Sequence, residues 1–395
     1  SRRVDAGARR GLQRTRQTRS RAGTDRQLSR YRGSGVISGQ GALVGHDPQP
    51  LATALIDDDL LLVASGRGVL EQALDVSQLP DQHQLGDQRL QRQVAELGEG
   101  VAVLTASPHA LEHWLQLPEL VAQRDDLIRL VASLRPEGST LAVDGRLGFR
   151  QALSTDPWPG LTDLTASAGG HARWLAQLQS PARLLDPSES HPLAQWFAPL
   201  LKQHLADQPA ADAVVGADAG PLLWQDQPEG WLLASRPQSP SRDVVDARLQ
   251  EQGLTRSELE GDGEVLSVWT RLVRQRGRQP GVDAQLAVAQ VRSSALNWWG
   301  ESLMALAQRQ NGRALQPRLN QWQELTASAQ PAQALLMADE PARALLGQWR
   351  PWALLQVMAG RPLQDQVRGL AVAIDVDRQE QGSTEIPLHA GLELG

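Results

Sequence analysis

Apolar residues fall along this chain in short runs separated by Gly, Pro and acidic turns, the pattern of strands joined by tight connections. Leu51 to Ser65 (LATALIDDDLLLVAS) reads as two such runs around Asp57 to Asp59, a β-hairpin with an acidic tip. It is followed from Gly66 by GRGVLEQAL, whose apolar residues recur at helical spacing. Further on, VAVLTASPHALEHWL from Val101 predicts a strand, a polar break and a helix opened by Pro108. Ile128 to Leu134 then predicts a strand that turns at Gly138-Ser139-Thr140 into a final alternating strand.

The same order of elements recurs later in the chain, which outranks any single motif as an organising signal. Ser29, Gly33 and Gly35 in SRYRGSGVIS correspond to Ser257, Gly261 and Gly263 in SELEGDGEVLS. Leu286 to Trp299 matches the first hairpin, GESLMALAQ from Gly300 matches its helix, and ALLMADEPARALLGQW from Ala334 matches the strand and proline-opened helix. Val367 to Ile374 and Gly382-Ser383-Thr384 close the second set as the first is closed.

These matches predict an α+β chain of two diverged repeats, each an antiparallel sheet with packed helices. The first repeat is expected over residues 1–157 and the second over 210–395, with a helical connector between them at 158–209. The connector carries Trp174, Leu175, Leu178, Leu184, Trp196 and Leu205 among polar residues, with a break at Asp186-Pro187-Ser188. The second repeat opens with an extra hairpin, PLLWQDQPEGWLLASRP from Pro221, that the first lacks. The expectation is that the first repeat is N-terminally incomplete and that an N-terminal piece, with any export signal or anchor in it, precedes Ser1.

Composition narrows the chemistry. With 395 residues and 41% hydrophobic content each repeat can bury a core, and since Trp supplies 12 of the aromatics, a few large rings anchor a Leu, Val and Ala interior. Cysteine is absent, which excludes disulfide scaffolds, thiolate metal sites and cysteine nucleophiles. Lys202 is the single lysine, so Walker-type and Schiff-base sites are excluded almost everywhere. The net charge is −6, yet Arg is dense before position 33, where Arg9, Arg10, Arg14, Arg16 and Arg19 go around a helix rather than along one stripe. No apolar stretch reaches the length of a membrane span.

The sharpest motif is His109-Ala110-Leu111-Glu112-His113, which matches the H-x-x-E-H signature of inverted zinc peptidases. On a helix, His109 and His113 share a face and could hold zinc while Glu112 activates water, with Glu189 downstream as a third ligand. Against it, Pro108 opens a helix here as Pro341 does in the second repeat, where Ala342 stands in place of a histidine. Gly33, Gly35 and Gly39 lack the βαβ unit of a dinucleotide site, and Ser38 misses the nucleophile-elbow spacing by one position. Arg271, Arg274, Arg276 and Arg278 lack interleaved aromatics, so they read as a charged loop between strands and not as a nucleic-acid site. Trp298-Trp299 on a strand must face opposite ways; one ring in the core and one at the surface would make this pair the partner or lipid contact.

The runs AGTDRQLSRYRGSGVIS, ATALIDDDLLLVASGRGVLEQAL and GVAVLTASPHALEHWL resemble the bacterial domain-of-unknown-function family 3352, abundant in cyanobacteria, over essentially the whole chain. The shared markers, Gly23-Thr24, Tyr31, Gly33, the acidic-tipped hairpin and Trp114-Leu115, are structural. The resemblance implies an N-terminal hydrophobic anchor and a folded part in the periplasm or beside the thylakoid, and carries no activity. The resulting expectation is a non-catalytic binding or scaffold protein of a membrane-associated compartment, with no catalytic set and no cofactor, partnered by a protein or an apolar ligand. A zinc peptidase and a carrier holding an apolar ligand between the repeats are the competing classes.

Overall fold

The computed structural model describes residues 27–31, 33–41, 49–56, 60–78, 88–98, 100–115, 126–151, 164, 168–186, 198, 201, 202, 204–261, 264–275, 281–326, 333–349, 352, 355, 356, 362–374 and 384–395. By compactness the chain divides into one unit of residues 1–96 with 346–365 and another of 97–345 with 366–395. The boundaries drawn at 157 and 209 follow the recurrence of elements, whereas this division follows the sheets.

In the first unit, β1 (Gln27–Tyr31), β2 (Ser34–Gly41), β3 (Gln49–Ile56) and β4 (Leu60–Ala64) form an antiparallel meander in chain order. Gly33 makes the β1–β2 turn with φ 89°, a conformation that a Cβ disfavours. Helix α1 (Arg67–Gln78) lays Leu70 and Leu74, one turn apart, on Val36, Ala52 and Ala54 of the sheet. Tyr31 Oη donates to Asp75 of this helix at 2.8 Å, tying strand to helix at their rim. Helix α2 (Gln88–Glu96) ends the first stretch of this unit.

The second unit is organised on one sheet of 13 strands, formed by the elements from β5 to β17 in the order β11-β12-β13-β14-β10-β9-β8-β15-β16-β17-β7-β6-β5. Strand β5 (Ala102–Ala106) is followed by α3 (Pro108–Leu115), β6 (Leu127–Glu137) and β7 (Thr140–Phe149). After β8 (Trp174–Leu178), α4 (Pro181–Leu185) and α5 (Pro209–Val215) come β9 (Leu222–Gln227), β10 (Gly230–Ser235) and α6 (Arg242–Glu251). The chain continues through β11 (Thr255–Gly261), β12 (Glu264–Gln275), β13 (Gly281–Arg292), β14 (Asn297–Gly300), α7 (Leu303–Ala307) and α8 (Gly312–Thr326). It closes with β15 (Gln333–Ala338), α9 (Asp339–Gln348), β16 (Val367–Ile374) and β17 (Glu385–Leu394).

The fold class is therefore α+β with antiparallel sheets, and the elements from β11 to β17 follow the same order as those from β1 to β7. Strands β15-β16-β17 and β7-β6-β5 meet through the antiparallel β17–β7 pair, where His389 opposes Asp144, so the strand order reads alike from either side of that boundary. The connector expected to be helical is corrected in part. Residues 174–178 form β8, inserted between β9 and β15, because Trp174, Leu175, Ala176 and Leu178 around Gln177 are satisfied equally by a sheet interior covered on both faces.

Alternation explains the two cores of this sheet. On β9 and β10, Leu222, Trp224, Trp231 and Leu233 join one core, which also takes in α3, α4, α5 and α6. Leu223, Leu232 and Ala234 join the other, covered by Leu306 of α7 and by Leu315, Leu319, Trp322 and Leu325 of α8 at helical spacing. The β9–β10 turn is closed by Gly230 at φ 116°, where a Cβ would strike the Glu301 carboxylate.

Candidate functional site

Of the four zinc candidates, the structure describes the side chains of His109 and Glu112. His109 and Glu112 lie on α3 with Nδ1 and Oε2 4.0 Å apart, and His109 is strongly exposed. The side chain of His113, on the same helix, and the whole of Glu189 fall outside the described residues. Among the described residues no group of three or more His, Asp or Glu side chains is placed to hold a metal ion. The acidic tip at Asp57 to Asp59 also lies outside the described residues.

Trp298 and Trp299 face opposite ways on β14, but the expected surface contact is corrected: they are 4% and 0% exposed. The sheet is covered on both faces here, so Trp299 packs against Trp269 with ring centroids 5.3 Å apart, and Trp298 enters the core under α7 and α8. Trp269 in turn donates its indole N–H to Asp246 of α6 at 2.7 Å.

A polar centre that the sequence reading missed sits where α5, β10, β13 and β14 converge. Asp218 follows α5, is fully buried, and accepts hydrogen bonds at Oδ1 from the Gly220 amide at 2.7 Å and the Ser239 hydroxyl at 2.6 Å. Its Oδ2 meets no hydrogen-bonding group within bonding geometry among the described residues. Burial pushes this carboxyl above the usual carboxylate range, and the hydrogen bonds, with Arg236 nearby, offset that only in part. The Ser239 carbonyl accepts from Ser235 Oγ at 2.5 Å and from Asn297 Nδ2 at 3.0 Å, while Asn297 Oδ1 accepts from Gln290 at 2.8 Å. Ser239 donates to the carboxylate directly, with no imidazole among the described residues between them. The group is a latch that fixes the loop after β10 against β14.

A second cluster joins distant strands. His389 Nδ1 lies 2.7 Å from Asp144 Oδ1 across the β17–β7 pair, and Asp144 Oδ2 is bound by Arg135 of β6. Only the pairing of strands far apart in the chain brings these three together. The fold also places His204 against Trp174 at 4.7 Å between ring centroids.

The two ends of the large sheet differ in character. Strand β11 ends it with Arg256, Glu258 and Glu260, charges that blunt an edge against further pairing. Strand β5 (AVLTA) ends it with no charge at all. Val101, Val103 and Leu104 are 71%, 51% and 47% exposed, and among the described residues β5 pairs with β6 alone. By contrast β15, at the corresponding place in the element order, is paired by β8 on one side and β16 on the other and is largely buried.

Fold and site together define an α+β protein with antiparallel sheets, buried polar latches and, among the described residues, an unpaired strand edge. The family described as protein of unknown function (DUF3352) matches residues 3–390, and the chain belongs to that family. Neither a curated protein nor a solved structure matches it. Among the described residues no helix is long and apolar enough to cross a membrane.

Proposed function

We propose that the chain is a non-catalytic binding or scaffold protein built from two diverged copies of one α+β unit, and that it binds by accepting a strand at β5. The observation that carries this reading is the uncharged, exposed edge of β5 beside the buried state of its counterpart β15. In the second copy β8 lies along β15, with Leu335 opposite Ala176 and Leu336 opposite Leu175. The matching edge of β5 offers the same backbone donors and acceptors to an extended segment of a partner protein. Main-chain hydrogen bonds would supply affinity, and Val103 and Leu104, pointing to opposite faces, would supply selectivity.

The test is co-purification of the tagged protein from its own cells, with a photo-crosslinking residue at Val103 and, as a control, at Glu258 on the charged edge. A defined protein adduct formed at position 103, absent at 258, and lost from co-purification in Val103→Lys supports strand addition. An unchanged partner set in Val103→Lys refutes it. Zinc measured on the same sample separates the competing class: one tightly held zinc per chain, lost in His109→Ala, would establish a metal site instead.

A further inference from the structure

Strands β12 and β13 run beyond the strands that flank them. Pairing of β12 with β11 stops at Thr270, and β14 reaches no further along β13 than Ala289. From Arg271 opposite Gln285 to Gln275 opposite Gly281 the ribbon has two strands only, and the register shift at Trp269/Thr270 marks where it leaves the body of the sheet. Five residue pairs at about 3.3 Å each make an arm roughly 15 Å long.

Its side chains do not suit solvent. Leu272 pairs with Ala284, and Val282 is two positions from Ala284, so Leu272 and Val282 share one face of the ribbon, where they are 69% and 65% exposed. Val273, on the other face, is exposed as well. An isolated two-stranded ribbon is marginal in water, and an apolar face on it is a contact awaiting its partner. The charge of the sequence from 271 to 285 says which partner. Arg271, Arg274, Arg276 and Arg278 fall between positions 271 and 285, where Asp283 is the single acidic residue. Exposed aliphatic side chains in a stretch whose sequence is rich in arginine match a surface that is anionic outside and hydrocarbon within.

We propose that the outer part of the β12–β13 ribbon docks on an anionic lipid bilayer, with Leu272 and Val282 entering the acyl boundary and the net positive charge of the sequence between 271 and 285 favouring anionic headgroups. This contact is independent of the β5 edge, at the opposite end of the sheet order.

Because the chain has no cysteine, Leu272→Cys in the full chain gives a single attachment point for an environment-sensitive fluorophore. Met304→Cys, on an exposed residue of α7, is the control. With vesicles of about one-third phosphatidylglycerol in phosphatidylcholine, the label at 272 is expected to shift to the blue and be quenched by spin-labelled acyl chains. The label at 304 should not respond, and pure phosphatidylcholine should leave both unchanged. Arg274→Gln is expected to weaken binding about fivefold, and Val282→Ser about tenfold. Vesicle binding with an unchanged label at 272 would place the contact elsewhere, the Arg-rich first 32 residues included, and overturn the proposal. A label that responds instead to duplex DNA, or to protein concentration without lipid, overturns it equally.

Discussion

Asp218 offers the most direct check on the interior of the large sheet. In the native protein burial raises its carboxyl pKa, whereas in the unfolded chain it titrates at the ordinary 3.8. The folded state therefore holds its proton more tightly than the unfolded state. The sign follows: the contribution of Asp218 to stability is greatest below the unfolded value, declines as pH rises between the two pKa values, and is constant above the folded one. Within that window the decline is at most about 1.4 kcal/mol per pH unit. Asp218→Asn keeps a carbonyl acceptor for the Gly220 amide and the Ser239 hydroxyl but cannot ionise. Urea unfolding of both proteins, followed by Trp fluorescence from pH 3 to 8, should show the wild type losing ground to the Asn variant as pH rises. Asp218→Ala, which leaves two buried donors without their acceptor, should cost about 2–5 kcal/mol at every pH. A wild-type-minus-Asn difference that stays flat over the range, or that grows in favour of the wild type, would refute the picture of a buried acid held by two donors.

Trp299→Ala removes a fully buried ring tilted against Trp269 and should lower stability by about 3–5 kcal/mol in the same unfolding assay; a loss under 1 kcal/mol would mean that the core face of β14 is not packed as described. Gly391→Ala on β17 would bring a Cβ within 2.2 Å of the Leu325 carbonyl at the end of α8, and a cost of about 1–3 kcal/mol is expected. Gly35→Ala on β2, where a Cβ meets nothing within 4 Å, should be neutral or slightly stabilising, and equal effects at the two glycines would contradict the close approach of α8 to β17.

Much of the local structure was legible. The β9–β10 hairpin around Pro228-Glu229-Gly230 and the strand Val367–Ile374 lie where alternation and turn residues put them, because both signals are local and self-consistent. The opposite facing of Trp298 and Trp299 was legible for the same reason; their shared burial was not, since it depends on helices that cover both faces of β14. Residues 174–178 misled because four apolar residues around Gln177 in a polar setting suit a helix face and a sheet interior alike, and β9 and β15 decide which they become. Asp218 gave no warning in sequence, as its partners at Gly220, Ser239, Asn297 and Gln290 carry no motif.

What the sequence by itself determined is most of the succession of strands and helices and the α+β class that the succession builds. Only the tertiary structure decided which strand lies beside which. AVLTA in β5 and QALLMA in β15 each carry the pattern of an apolar strand leading into a helix, yet among the described residues one ends the sheet and the other lies inside it. The physical reason is that periodicity records which face a residue presents, whereas the hydrogen-bonding edge of a strand is backbone, identical in every sequence, and its occupation depends on segments far away in the chain.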